Sequence, residues 1–155
     1  MPDPFLITPA RPEDADALAR IYLEARREIM PKAAPDSFTL EDFAQDSAGE
    51  VVLVARGAGG PENGAKNRGV LGFLSLWAAD HFIHMLYLDK AARGRGIGAA
   101  LLQALPDWPN QPYRLKCLVE NQRARHFYVA KGFAVLREAT SSEGDYVEME
   151  LRPAR

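Results

Sequence analysis

Cysteine is almost absent from this chain, since Cys117 is the only one among 155 residues. A single thiol cannot form an internal disulfide framework, and it cannot by itself supply the ligands of a cysteine-based metal site. Such sparing use of cysteine is typical of proteins kept in a reducing compartment. We therefore expect a cytoplasmic protein.

Long apolar runs are also missing. No stretch approaches the length that crosses a bilayer, and the first residues, Met1-Pro2-Asp3-Pro4, have neither the basic nor the apolar region of a secretory signal. We expect a soluble protein that does not act on membranes.

The chain has no overall excess of basic charge. Its 19 Lys and Arg residues are outnumbered by 21 Asp and Glu residues, and the pI is about 5.9, so nucleic acid is not an expected partner. The charge is unevenly spread, however. Residues 1–56 hold six basic and eleven acidic side chains, whereas residues 90–137 hold nine basic and two acidic ones. The second segment favours a polyanionic ligand, and the first either tolerates a cation or simply forms solvated helix faces.

Patterns for metal binding and for nucleophilic catalysis are missing too. The histidines His81, His84 and His126 show no metal-ligand spacing, and no Ser/His/Asp arrangement is evident. Cys117 has no evident activating partner. We expect no metal and no covalent enzyme intermediate.

The elements that are present indicate one domain over residues 1–155. The chain is 47% hydrophobic and 26% charged, and its apolar spacings predict the order β-α-α-β-β-β-α-β-α-β-β. This order indicates an α/β (α+β) fold, with a mixed, mostly antiparallel sheet and helices on both faces. The predicted strands are 5–8, 51–55, 69–77, 81–88, 113–119, 133–137 and 146–151. The predicted helices are 12–31, a short one from 39, one ending near 105, and 122–131. We expect segment 57–64 to be a mobile loop.

One stretch combines an apolar strand with a basic, glycine-rich loop. The strand ends at Leu86-Tyr87-Leu88, and the loop carries Gly94, Gly96 and Gly98. Arg93 precedes the first of these glycines, and Arg95 lies between the first two. Glycines let the backbone lie against a ligand with its N–H groups outward, next to the positive end of the following helix. Arginines suit a pyrophosphate. The loop therefore predicts a site for a phosphate-bearing cofactor.

Three interpretations of this loop are open from the residues alone. The glycines could serve only close packing of a helix on a strand. Gly94-x-Gly96-x-x-Ala99 also fits the loose Rossmann fingerprint, with Glu120 as the ribose-binding acid, although the remaining chain is short for the further βα units. Arg93-x-x-Gly96-x-Gly98 after a strand is the third, an acyl-coenzyme A loop.

A second motif lies downstream of the loop. Asn121-x-x-Ala124-x-x-Phe127-Tyr128 is followed by Gly132-Phe133. Together with the Arg93 loop, it resembles the signature of the GCN5-related N-acetyltransferases, the GNAT superfamily, whose element order also agrees. The two motifs cover roughly the last 75 residues of the chain, whereas the N-terminal third matches only in its element order.

The resemblance implies a single GNAT-like domain that binds acetyl-CoA as a co-substrate. The thioester would lie between the strands at 81–88 and 113–119, which splay apart in the family, with the Leu88 N–H placed on the thioester carbonyl. The residues implied in cofactor binding are Leu86, Tyr87, Leu88, Arg93, Gly94, Arg95, Gly96, Ile97, Gly98, Ala99, Asn121, Phe127 and Tyr128.

The resemblance also implies catalytic roles. Tyr128 corresponds to the tyrosine that protonates the departing thiolate. His84 is the candidate general base, because some relatives carry a histidine at this position. Others carry a Glu two residues earlier, where this chain has Phe82, so a structural histidine or a water chain stays open. His81 and Asp80 are weaker candidates, and His126 is expected at the surface or in contact with the cofactor. Strict strand alternation would place Phe82, His84, Leu86 and Leu88 on one face.

These residues predict an acetyl-CoA-dependent N-acetyltransferase that acts on a primary amine of a small molecule or peptide by direct transfer in a ternary complex. A non-catalytic acyl-CoA sensor of the same fold is the alternative. We expect the segments 30–43 and 139–145 to select the acceptor. Nearby acidic side chains either attract an amine or form a solvated surface, and they are Glu24, Glu28, Asp36, Glu41 and Asp42. Family members often form dimers, so a homodimer is one implied assembly.

Overall fold

A computed structural model describes residues 4–58 and 69–152. Most of the predicted loop 57–64 lies outside these residues. Within the described residues, seven strands form one sheet in the order β1-β2-β3-β4-β5-β7-β6, and every neighbouring pair is antiparallel except β4 and β5. The strands are β1 Phe5–Pro9, β2 Val51–Gly57, β3 Val70–Trp77, β4 Phe82–Leu88, β5 Arg114–Leu118, β6 Phe133–Ser141 and β7 Gly144–Leu151.

Helices cover both faces of the sheet, as predicted. The front face packs against α1 (Ala15–Ile29) and α2 (Asp42–Asp46), and the back face packs against α3 (Ile97–Gln103) and α4 (Gln122–Ala130). Two apolar clusters separate the layers. The front cluster is Ala17, Leu18, Ile21, Tyr22, Phe43, Val54, Val70, Phe73 and Met85. None of these helices is long and apolar enough to cross a membrane.

The two N-terminal helices begin later than the sequence predicts. Residues Pro12–Asp14 form a 3-10 turn, and the buried Asp14 carboxylate there accepts hydrogen bonds from the Arg11 N–H and the Arg56 guanidinium. Before α2, the N–H and hydroxyl of Thr39 bond to the Asp42 carboxylate, at 3.0 Å and 3.1 Å. The Asp42 N–H donates to the Thr39 carbonyl at 3.2 Å, so residues 39–42 form a turn that leads into α2, and the helix itself begins only at Asp42.

A β-bulge in β4 overturns the expected alternation along that strand. Ser75 pairs with Met85, but Leu76 pairs with Ile83, so His84 is an extra residue with no partner on β3. Past the bulge, Leu86 and Leu88 pack on the back cluster. His84 contacts Glu50, which is bonded to Ser75 on the front face. The prediction that His84, Leu86 and Leu88 share a face is therefore wrong, because the inserted residue shifts the period by one.

Candidate active site

The site is a cleft that opens where β4 and β5 part. Their parallel pairing is limited to Phe82 with Arg114 and Ile83 with Leu115, and beyond these pairs the two strands diverge. A cleft of about 1350 Å³ lies along the divergence, with walls from α1, the loop before α3, α4 and the β6–β7 turn. A partial parallel pair leaves two sheet edges unpaired side by side, so the cleft has main-chain groups along both of its long walls.

The open edge of β4 presents the N–H groups of two predicted residues. Asp89 donates its N–H to Leu71 on β3 at 2.8 Å. Because hydrogen-bonding direction alternates along an antiparallel pair, the N–H groups of Leu88 and Leu86 point away from β3 and into the cleft. The strand therefore offers the cleft a row of donors and acceptors of the kind that an amide-bearing ligand can extend.

The glycine-rich loop continues from this edge. Gly94 and Gly96 have left-handed backbones, with φ of 81° and 77°, which favour glycine, and a Cβ at either would meet no atom within 4 Å. The first hydrogen bond of α3 is from Ala100 to Gly96, at 3.0 Å. The N–H groups of Ile97, Gly98 and Ala99 consequently have no acceptor within the helix. The loop surrounds open space with main-chain donors, which fits a phosphate group.

Gly98 has a packing role that the sequence does not reveal. A Cβ at this position would lie 3.1 Å from Cζ of Phe127 on α4, closer than ordinary side-chain contacts. The absence of a side chain lets α3 approach α4, and both residues also line the cleft. Gly98 therefore serves the packing of one helix on another rather than of a helix on a strand, whereas Gly94 and Gly96 are required by their positive φ.

Arg93 is joined across the cleft to α1. Its guanidinium donates two hydrogen bonds to the Glu28 carboxylate, at 2.8 Å and 3.1 Å, and Arg123 of α4 lies 3.4 Å from the same group. The hydrogen bonds from Arg93 hold the pKa of Glu28 below its usual value, despite partial burial. The acidic Glu28 therefore pairs with the basic loop rather than standing free to attract an amine.

Tyr128 lines the cleft from α4, the first helix that follows β5. It is 8% exposed, lies among the back cluster and packs edge-on against Phe127 and Phe133. Burial raises the pKa of this phenol well above its usual range, so it carries its proton at any physiological pH. Its α4 begins at Asn121, whose side chain accepts the N–H of Ala124 at 3.3 Å, as the motif predicts.

His84 forms an ion-pair geometry with a residue that sequence reasoning missed. Its Nδ1 lies 3.0 Å and 2.8 Å from the two oxygens of Glu50, and the hydroxyl of Ser75 donates to the same carboxylate. Glu50 immediately precedes β2 and has no motif around it, so no local pattern indicates that it meets His84. Only the pairing of β2, β3 and β4 places the three side chains together.

The end of the cleft away from the glycine-rich loop is lined by side chains from many elements. Tyr22 donates its hydroxyl to Asp46 at 2.7 Å, and Arg26 bonds to Asp42 at 3.0 Å with its guanidinium 4.1 Å from the Phe38 ring centroid. From segment 30–43, only Met30 is among the residues that line the cleft in the described chain. From segment 139–145, Ser141 and Glu143 line the cleft.

Comparison with known proteins agrees with this geometry. The sequence model of the acetyltransferase (GNAT) family matches residues 15–133. The chain belongs to the GNAT family. No curated protein matches the chain.

Solved structures share the GNAT fold at low identity. An N-acetyltransferase from Staphylococcus aureus Mu50 has a TM-score of 0.71 and 17% identity, over 94% of this chain and 100% of that chain. A ribosomal-protein-alanine N-acetyltransferase from Brucella melitensis has a TM-score of 0.66 and 22% identity, over 94% of this chain and 98% of that chain. A GCN5-related N-acetyltransferase from Kribbella flavida has a TM-score of 0.66 and 20% identity, over 97% and 98%.

The GNAT cleft contains nearly all of the residues that the motifs single out. The dinucleotide interpretation of the loop is wrong, because the sheet is mostly antiparallel and lacks the repeated βα units of a Rossmann domain. Arg95, His81, Asp80 and His126 are not among the cleft-lining residues. Those that line it are His84, Leu86, Tyr87, Leu88, Arg93, Gly94, Gly96, Ile97, Gly98, Ala99, Asn121, Phe127 and Tyr128.

Cys117 also lines the GNAT cleft but is poorly suited to act as a nucleophile. The residue is 5% exposed, and burial raises the pKa of its thiol to about 11. With this pKa the thiol is almost wholly protonated near neutral pH. Because only the thiolate is nucleophilic, Cys117 is unreactive there.

Proposed function

We propose that this GNAT domain transfers an acetyl group from acetyl-CoA directly to a primary amine of a small molecule or peptide. The observation that carries the proposal is the unpaired edge of β4 running into the open loop at Gly94 and Gly96. An acyl-CoA has a peptide-like arm followed by a pyrophosphate, which is the order in which the β4 edge and the loop follow each other along the cleft. The arm would extend the edge as an added strand, and the loop would hold the pyrophosphate.

Arg93 and the main-chain N–H groups supply the anion contacts. Arg93 lines the cleft, and its guanidinium is bonded to Glu28 at the rim, so it is already oriented across the loop. A guanidinium carries five N–H donors, so Arg93 keeps donors for phosphate oxygens beside its two bonds to Glu28. The loop would therefore bind an anion with fixed main-chain donors and one charged side chain.

The reaction needs two kinds of proton transfer: the attacking nitrogen loses protons, and the departing sulfur gains one. His84 takes one proton from the ammonium form of the acceptor, so that the nitrogen has a free electron pair. That pair attacks the thioester carbonyl carbon, and the Leu88 N–H stabilises negative charge on the carbonyl oxygen. The C–S bond then breaks. The Tyr128 hydroxyl gives its proton to the departing sulfur and recovers one that the new amide nitrogen loses.

Two measurements test the function. We expect calorimetry to show acetyl-CoA and CoA binding with no binding of NAD, and a panel of amines to release CoA thiol from acetyl-CoA. No heat with acetyl-CoA or CoA at millimolar ligand would contradict the proposal. Binding without transfer to any amine would indicate the sensor instead.

A third measurement tests direct transfer. Cys117→Ala should keep its turnover, because an unreactive thiol takes no part in the chemistry. Loss of turnover in a Cys117→Ala protein that folds and binds acetyl-CoA would indicate a covalent acyl-enzyme.

A further inference from the structure

A buried carboxylate lies directly behind His84. The side chain of Glu50 is 6% exposed and does not line the cleft, whereas that of His84 is 38% exposed and does. Both oxygens of Glu50 lie within hydrogen-bond distance of Nδ1 of His84. A buried carboxylate is costly unless it is hydrogen-bonded, so this contact constrains both side chains. Nε2 of the imidazole ring is left free of the carboxylate.

The contact decides which ring nitrogen carries the proton. A neutral imidazole has one N–H, and the hydrogen bond made at one nitrogen selects the tautomer. An ionised carboxylate only accepts hydrogen bonds, so Nδ1 opposite Glu50 is the protonated nitrogen. Nε2 then keeps its lone pair, which is the form that a general base requires.

We propose that Glu50 is a positioning residue that holds His84 in the tautomer whose Nε2 accepts the proton of the incoming amine. The inference rests on the proposed function, because it states how the base of that reaction is prepared. Glu50 cannot itself be the base, since it does not reach the cleft. After proton transfer, the same carboxylate stabilises the imidazolium ion on His84.

Ser75 holds the other side of the carboxylate. Its fully buried hydroxyl donates to Oε1 of Glu50. A hydroxyl can accept as well as donate, so the neutral amide of Glu50→Gln can present its oxygen to Ser75 and its NH₂ to Nδ1 of His84, or the reverse. The substitution therefore removes the requirement that Nδ1 carries the proton. It also removes the negative charge that stabilises the imidazolium ion, with almost no change in side-chain volume.

NMR of the histidine ring nitrogens in the whole chain reads the tautomer directly. We expect His84 to be protonated on Nδ1 in the wild type and to lose this single tautomer in Glu50→Gln, where part of the population is protonated on Nε2, with His84→Asn identifying the signals. Glu148→Gln is the matched control, because Glu148 is a partly buried carboxylate that bonds to Arg137 and does not line the cleft. It should leave the tautomer of His84 unchanged.

Kinetics with acetyl-CoA and an accepted amine tests the role of the tautomer. We expect kcat of Glu50→Gln to fall by about 10²-fold, with KM for acetyl-CoA and the melting temperature unchanged. Glu50→Asp keeps a carboxylate and should recover part of kcat, whereas a merely structural role would make the shorter side chain as harmful as the amide. Glu148→Gln should keep the wild-type kcat.

The outcomes separate this inference from the proposed function. Protonation on Nε2 in the wild type overturns the inference without any variant, so it can be tested even if Glu50→Gln fails to fold. An unchanged kcat in a folded Glu50→Gln also overturns it. A wild type that binds acetyl-CoA but acetylates no amine overturns the proposed function instead, while the ring-nitrogen signals still show whether Glu50 sets the tautomer.

Discussion

The two ends of the cleft are built by different means. At the end that we propose for acetyl-CoA, called the cofactor end, the cleft is lined by main-chain groups of one continuous segment, the β4 edge and the loop through Gly94 and Gly96. At the end that we propose for the amine, called the acceptor end, it is lined by side chains of α1, α2, β4, β5 and the β6–β7 turn, several of which bond to one another. The first end depends on backbone conformation, whereas the second depends on which side chains meet.

This difference predicts how each end responds to substitution. Main-chain donors are the same whatever the residue, so the proposed cofactor end depends on φ angles more than on side chains. Side-chain contacts change with every substitution, so the proposed acceptor end depends on the identity of its residues.

The largest effect is expected where the two ends meet, at Tyr128. Tyr128→Phe should lower kcat by about 10²-fold with unchanged acetyl-CoA affinity, because it removes the proton donor but keeps the ring packed against Phe127 and Phe133. Steady-state kinetics with calorimetry checks this. Tyr113→Phe is the control, since that buried hydroxyl bonds to the Pro106 carbonyl away from the cleft and should affect stability alone. Equal kcat in both variants would remove Tyr128 from the mechanism.

The cofactor end should be sensitive to backbone conformation. Gly96→Ala should weaken acetyl-CoA binding by about tenfold, because a side chain at φ of 77° costs about 1–2 kcal/mol and its Cβ enters the open loop. Gly144→Ala is a matched change in the β6–β7 turn, where φ is 126° and a Cβ also meets no atom within 4 Å. It should lower the melting temperature without changing affinity. Similar calorimetric constants for both variants would contradict a cradle at Gly96.

The acceptor end should respond to a lost side-chain contact. Tyr22→Phe removes the hydroxyl bond to Asp46, which ties α1 to α2 at the cleft wall. We expect KM for the amine to rise by about fivefold, with acetyl-CoA affinity unchanged. This rise corresponds to less free energy than a full hydrogen bond to a charged group contributes, because the bond only positions the cleft wall. Tyr113→Phe again serves as the control. A rise in the acetyl-CoA dissociation constant would show that the two ends are not separate.

The smallest effect concerns the ion pair between the two ends. The pKa of Glu28 is lowered in the folded state by Arg93, so its contribution to stability is complete above the ordinary glutamate pKa and is lost as pH falls through the lowered value. The unfolding free energies of wild type and Glu28→Gln should differ by less than about 1 kcal/mol at neutral pH and converge in acid. Urea titrations between about pH 7 and about pH 3 measure this. A difference that grows in acid would contradict the pairing.

Local patterns were sufficient for most of the fold and for the cofactor end. The strand before the loop, Asn121 at the start of α4 and the left-handed Gly132 after it all lie where the sequence predicts them. Each depends on residues close in sequence, such as a capping side chain or a glycine that tolerates positive φ. The same short-range physics fails at the bulge, because an extra residue in β4 is visible only against β3.

By itself, the sequence determined the order of the elements, the conformation of the loop and the position of Tyr128, because these follow from apolar periodicity and from glycines within a few residues. Only the tertiary structure decided that Glu50 and Ser75 meet His84 and that Glu28 binds Arg93. Glu50 and His84 are 34 positions apart in the sequence, and Glu28 and Arg93 are 65 positions apart. Contacts over such separations depend on strand pairing and helix packing, which no local spacing encodes.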